Sequence, residues 1–218
     1  MYARFDYRTD AMKRLGTPGH DAKIGAFDRL READMRQEHA IAEPSVWVCR
    51  FAGLVPPAGE VLDVACGAGR HARYLAALGM RVEALDRDAA ALGTLAQVPG
   101  ITTRCADIEA GPWPYGGRQF DAVVVTNYLH RPLLPLLVRC LRDCGVLLYE
   151  TFMRGNERFG RPSNPAFLLE PGELLEAVRG ELSVIAFEQG EVAWPQPAVV
   201  QRIASLRAPD ASRVRLPE

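Results

Sequence analysis

Val61-Leu62-Asp63-Val64-Ala65-Cys66-Gly67-Ala68-Gly69-Arg70 is the stretch that decides how this chain is read. A short apolar run ends in a glycine-rich turn, and a helical pattern follows at once. A second apolar run, Arg81 to Leu85, then closes on Asp86. That order builds a nucleoside-binding crevice at the carboxyl edge of a parallel sheet. Glycines let backbone amides approach a ligand closely. An acid at the end of the second strand can accept from two ribose hydroxyls.

Two nucleoside cofactors fit that pattern. Gly67-Ala68-Gly69-Arg70-His71-Ala72 formally satisfies the loose dinucleotide fingerprint G-x-G-x-x-G/A, a weak match by itself. Asp63 separates the two, because it stands inside the strand, four residues before Gly67. A pyrophosphate resting on a helix N-terminus needs neutral or positive surroundings, and a carboxylate opposes it. S-adenosylmethionine has no phosphate and carries a sulfonium and an ammonium, which a carboxylate attracts. The residues therefore favour the methyl donor over a nicotinamide cofactor.

Val61 to Gly69 resembles the first motif of the class I S-adenosylmethionine-dependent methyltransferases. It departs from that motif once, with Ala65 where a glycine is usual. The added methyl predicts a slightly fuller loop that still binds. The resemblance runs over about residues 45 to 208 and is nearest to the small bacterial tellurite-resistance-type methyltransferases. Asn164-Pro165-Ala166-Phe167-Leu168-Leu169-Glu170-Pro171-Gly172-Glu173-Leu174 is similar to that group's late loop and helix start. The resemblance implies a Rossmann-like, mainly parallel seven-stranded sheet with helices on both faces and an antiparallel last strand.

Composition permits one substantial domain with a core. The chain has 218 residues, 48% hydrophobic and 24% charged. A net charge of -1 gives no general attraction to nucleic acid or to an anionic membrane. Cys49, Cys66, Cys105, Cys140 and Cys144 show no zinc spacing and read as buried or incidental thiols in a reducing compartment. No run is long enough to span a bilayer, and the start lacks a signal-peptide apolar stretch, so the expected location is the cytoplasm. There is no dense ligand cluster for a metal.

Residues 1–43 are polar, with Ile24, Phe27 and Leu30 spaced for one helical face, and read as a helical N-terminal extension. Residues 44–218 read as the cofactor-binding domain. Pro44 opens a short helix that stops near Gly53. Strands are expected at 61–64, 81–85, 101–105, 120–125, 146–149 and 182–187. Helices are expected at 70–78, from the Asp88 cap to about Gln97, at 132–141 and at 173–178. Val199 to Leu206 fits strand or helix by pattern; the resemblance makes it the antiparallel seventh strand. Alternation of strands and helices implies an α/β fold.

The resemblance also carries roles onto residues. Asp63, Gly67 and Gly69 would line the methionine end, with Ala65 and Cys66 between them and Asp63 acting on the ammonium. Asp86 would bind the ribose, with Arg87 beside it; Asp88 is the rival acid, and its plain role is a helix cap. Asp107 would accept from the adenine amino group, and Ile108 would meet the ring. Asn127 would touch the cofactor through its backbone. Tyr128 and His130 are the polar side chains expected nearest the reacting methyl, His130 either as a proton acceptor or as a locally bonded helix-start residue.

The loop from Arg154 to Pro165 is long and glycine-hinged, which suits a lid over a small-molecule acceptor. Arg154, Arg158 and Arg161 would bind an anionic acceptor or simply be solvated. His20 and His39 read as surface residues of the extension. An Asn-Pro-Pro-aromatic motif is absent after the fourth strand, which argues against DNA amino groups as acceptors. A non-catalytic cofactor-binding protein would keep the first motif and lack an acceptor pocket.

Overall fold

Val61, Leu62 and Val64 are each fully buried, and so are Ala122, Val123, Val124 and Val125. Strands apolar on both faces can only sit in the middle of a sheet covered twice. They do: β1 (Glu60–Val64) lies between β2 (Arg81–Asp86) and β4 (Phe120–Thr126), parallel to both. The structure, a computed structural model, describes residues 43–212 and 214–217. The expected N-terminal extension, with Ile24, Phe27, Leu30, His20 and His39, lies outside the described residues.

The sheet has seven strands in the order β3-β2-β1-β4-β5-β7-β6. β3 is Ile101–Cys105, β5 Leu141–Phe152, β6 Ser183–Val192 and β7 Ala198–Leu206. β7 pairs antiparallel with β5 and with β6, while the pairs among β1 to β5 are parallel. The segment that pattern left open between strand and helix is therefore a strand. The strand order reverses between β1 and β4, which opens a crevice at their carboxyl ends.

Two apolar layers hold the helices. On one face, α1 (Val46–Phe51) and α2 (Arg70–Ala77) bury Trp47, Phe51, Ala72 and Leu75 against Val61, Val82, Val124 and Leu148. On the other, α4 (Leu134–Arg139) and α5 (Glu173–Val178) cover Leu62, Val123, Leu147 and Ile203. Alternation along each strand separates the layers.

Several expected boundaries move; β6, for one, runs on to Val192 instead of ending at 187. The helix capped by Asp88 is only α3, Ala89–Gly93. Thr94 turns its hydroxyl back onto the Ala91 carbonyl at 2.7 Å, and the chain drops Leu95 into the core. The helix expected at 132–141 is a 3-10 turn, Arg131–Leu133, followed by α4. β5 begins at Leu141 instead of Val146, because the Phe120 N–H donates to the Cys140 carbonyl at 2.7 Å and draws the chain into the sheet early. An irregularity near Cys144, at φ 62°, absorbs the extra residues.

Candidate functional site

The turn after β1 is built from left-handed backbone. Ala65 has φ 54°, Gly67 59° and Gly69 76°. The first explains why the related motif favours glycine at position 65: a side chain there carries a strain of about 1 kcal/mol. Gly69 has a second constraint, since a Cβ would lie 2.5 Å from Leu95 Cδ1. Gly69 then serves as N-cap of α2, and Cys66 donates its N–H to the Leu85 carbonyl at 3.0 Å, tying the turn to β2.

Asp63 sits beneath that turn, 1% exposed. Its Oδ2 is buried and has no hydrogen-bond partner among the described residues. Burial pushes its carboxyl up to about 7, aided by Asp86, although the Ala72 N–H and the Arg70 guanidinium act against that rise. A buried carboxylate oxygen without a donor is costly, and a cationic ligand would relieve the cost.

Asp86 ends β2 beside the same turn. Its Oδ2 accepts from the Gly67 N–H at 2.8 Å and its Oδ1 from the Asp88 N–H at 2.9 Å. Asp88 is the cap of α3, accepting from Ala90 and Ala91 at 3.0 Å each. Asp88 thus serves the helix as its cap, while Asp86 faces the glycine turn. Asp107 accepts the N–H groups of Glu109 and Ala110 through Oδ1, while its Oδ2 lies 3.9 Å from Arg87 Nη1. Ile108 packs partly buried against the α4–α5 layer.

At the end of β4, Asn127 has φ 54° and gives its N–H to the Glu150 carbonyl at 2.9 Å. A backbone contact with a ligand would therefore fall to its carbonyl. The Tyr128 hydroxyl donates to Glu109 Oε1 at 3.0 Å, joining this segment to the turn after Asp107. His130 precedes the 3-10 turn without capping it through its side chain; its carbonyl accepts from Leu133.

The loop after β5 is anchored more firmly than a free lid. Asn156, 2% exposed, donates to the Pro162 carbonyl at 3.2 Å and accepts from the Val199 N–H at 3.0 Å. Arg154 pairs with Glu170 at 2.9 Å and Arg158 with Glu191 at 3.3 Å, so these two guanidinium groups turn to separate carboxylates. Arg161 is exposed. The late segment has a structural task. Arg131 reaches both oxygens of Glu173, at 2.7 and 2.9 Å, and the carbonyls of Ala166 and Leu168.

A buried polar network escaped the sequence reading. His71, 2% exposed in the first turn of α2, accepts the Ser45 N–H at Nε2 (3.1 Å) and meets the Thr126 hydroxyl at Nδ1 (3.2 Å). Burial, with Arg70 nearby, pushes the ring down to about 3, so it is neutral. The Ser45 hydroxyl donates to Glu150 Oε1 at 2.9 Å, and Glu150 pairs with Arg202 at 2.6 Å. The one available signal was a histidine on the same helical face as Leu75 in α2. All five cysteines are free thiols. Among the described residues, no group of three His, Cys, Asp or Glu converges to hold a metal, and no helix is long and apolar enough to cross a membrane.

Residues 61–148 match the family model described as a methyltransferase domain. No curated protein is similar enough in sequence to match. Among solved structures, TehB from Haemophilus influenzae is similar with a TM-score of 0.60 at 21% identity, over 74% of this chain and 61% of that one. This chain thus spans less than two thirds of that protein. A SAM-dependent methyltransferase from Methanosarcina mazei has a TM-score of 0.59 at 15% identity, over 76% of this chain and 99% of its own. A TehB-like SAM-dependent methyltransferase from Corynebacterium glutamicum has 0.58 at 16%, over 86% and 100%. At these identities the likeness is one of fold.

Proposed function

The chain carries a methyltransferase domain on a class I fold, and from that premise we propose that it binds S-adenosylmethionine and methylates a small-molecule acceptor. The observation that carries the reading is Asp63 Oδ2, a buried carboxylate oxygen that has no donor among the described residues and lies beside a turn of left-handed backbone. An ammonium supplies both the charge and the hydrogen bond that this oxygen lacks. A dinucleotide is the poorer fit. Its pyrophosphate would meet Asp63 and would find the Gly67 N–H already given to Asp86.

In this reading Asp63, Ala65, Cys66, Gly67 and Gly69 surround the methionine end. Asp86 and Arg87 flank the ribose, and Asp107 and Ile108 flank the adenine. A carboxylate oxygen can accept more than one hydrogen bond, and in this reading the ribose hydroxyls donate to Asp86. When bound, the cofactor would supply a sulfonium methyl already activated for transfer. The protein's part is to align the acceptor in line with that carbon and to exclude water. Tyr128 and His130 stand where β4 leaves the sheet, and His130 is the group able to take a proton from the acceptor.

The loop 154–165 borders the acceptor side and helps select what enters. Its arginines would first have to exchange Glu170 and Glu191 for an anionic acceptor, which makes an anion a demanding ligand there. The reading is tested by following S-adenosylhomocysteine release from S-adenosylmethionine across a panel of oxygen, nitrogen, sulfur and chalcogen-oxyanion acceptors. Acceptor-dependent release supports it. Binding of NAD with no binding of S-adenosylmethionine overturns it.

A further inference from the structure

The neutral His71 ring has one proton to place. Nε2 accepts from the Ser45 backbone N–H, so the proton is on Nδ1 and is donated to Thr126 Oγ1. Ser45 is itself fixed: its hydroxyl donates to Glu150, Glu150 pairs with Arg202, and its Oγ accepts from the Trp47 N–H at 3.1 Å. The imidazole therefore cannot rotate without breaking a braced corner of the fold. Thr126 Oγ1, accepting from His71, keeps its own O–H to donate elsewhere, and His71 is its side-chain partner among the described residues.

Register says where that O–H stands. Asp63 is opposite Val124 across the β1–β4 pair, and Thr126 follows Val124 on the same face of the sheet. One strand spacing across and two residues along put the Cα atoms of Asp63 and Thr126 roughly 8 Å apart. Side chains rising from Cα atoms that close, on one face of the sheet, can reach the two ends of a single α-amino acid. Asp63 offers an acceptor for an ammonium. The nearby Gly67 N–H goes to Asp86, so the carboxylate of the same amino acid needs another donor.

We propose that Thr126, oriented by His71, donates to the carboxylate at the amino-acid end of the cofactor, with Asp63 taking the ammonium. This rests on the cofactor reading above and adds a residue pair to it. Thr126 is the binding residue. His71 is a positioning residue, acting through the tautomer that leaves the threonine proton pointing away from the ring.

Calorimetry with two ligands separates this role from a merely structural one. S-adenosylhomocysteine carries the amino-acid end; 5′-methylthioadenosine has the same thionucleoside without it. Thr126→Val keeps the shape and removes the hydroxyl. It should weaken S-adenosylhomocysteine by roughly ten- to a hundredfold and leave 5′-methylthioadenosine unchanged. Thr126→Ser should restore most of the loss. Equal loss of both ligands, or loss of neither, overturns the proposal. Wild-type protein that binds neither ligand overturns the cofactor reading itself. A measurement on the wild type guards against variants that do not fold. Nitrogen-15 spectra of the histidines, with His71 assigned by its disappearance in His71→Gln, should show Nδ1 protonated from pH 5 to 8. An Nε2-protonated His71 overturns the proposal.

Discussion

The carboxylate of Asp86 closes on the backbone N–H of Gly67 at 2.8 Å, so the acid that ends β2 also holds the turn that ends β1. Its other oxygen holds Asp88 at 2.9 Å. Asp86→Ala should therefore have two effects. It should weaken cofactor binding by about 1.5–3 kcal/mol and lower folding stability by about 2 kcal/mol, since two hydrogen bonds to a charged group are lost. Urea unfolding read beside calorimetry checks both. A variant of wild-type stability would mean that the turn does not lean on Asp86.

Asp63 makes stability and binding depend on pH in opposite directions. Its folded carboxyl lies at about 7, above the ordinary 3.8, so the folded state keeps a proton that the unfolded chain releases. Stability from this group falls as pH rises from about 4 to about 7 and then levels off. Asp63→Asn removes that loss. It should melt close to wild type at pH 4 and above it at pH 8. A cationic ligand prefers the ionised form, so wild-type affinity should rise with pH through about 7, while Asp63→Asn should bind some 3 kcal/mol more weakly at pH 8. Parallel melting curves at both pH values would contradict the assignment.

Ala65 and Gly69 both hold left-handed backbone, but only one has room for a side chain. Ala65→Gly relieves strain of about 1 kcal/mol against an unfolded-state cost of about 0.5 kcal/mol, for a small net gain in stability. Gly69→Ala would press a methyl into Leu95 and should lose about 2 kcal/mol or more. Denaturant midpoints of the two variants should move in opposite directions. Movement in the same direction would show that the turn can rearrange.

The parts of this fold set by local chemistry were legible in the sequence. Val61 to Val64 and Phe120 to Val125 are short, valine-rich runs bounded by turn residues, which suits buried strands. Asp88 sits where a cap must sit, and the glycines after Val64 announced the turn that ends β1. The rest depends on distant partners. Ser45 and Glu150 are 105 positions apart and His71 and Thr126 are 55 apart, so no pattern in either segment announces the network. Leu141 joins the sheet because of Phe120, which helical spacing in 132–141 cannot reveal. Arg154 and Arg158 looked free because Glu170 and Glu191 are distant in sequence or on another strand.

The loop after β5 should separate anchoring from selection. Replacing Arg154, Arg158 and Arg161 together by alanine breaks exposed ion pairs and should change stability by less than about 1 kcal/mol. Cofactor affinity should stay near wild type, and turnover of the true acceptor should drop. Asn156→Ala removes two buried hydrogen bonds and should lower stability by about 1–3 kcal/mol. Unchanged turnover in the triple variant would leave the loop as a connector and move acceptor selection to Tyr128 and His130.

The most direct measurement is a crystal structure of the protein with S-adenosylhomocysteine. The account predicts the ligand's ammonium against Asp63 Oδ2, its ribose hydroxyls against Asp86 and its adenine beside Asp107 and Ile108. A ligand bound elsewhere, or one whose amino-acid end turns away from Asp63, would contradict it.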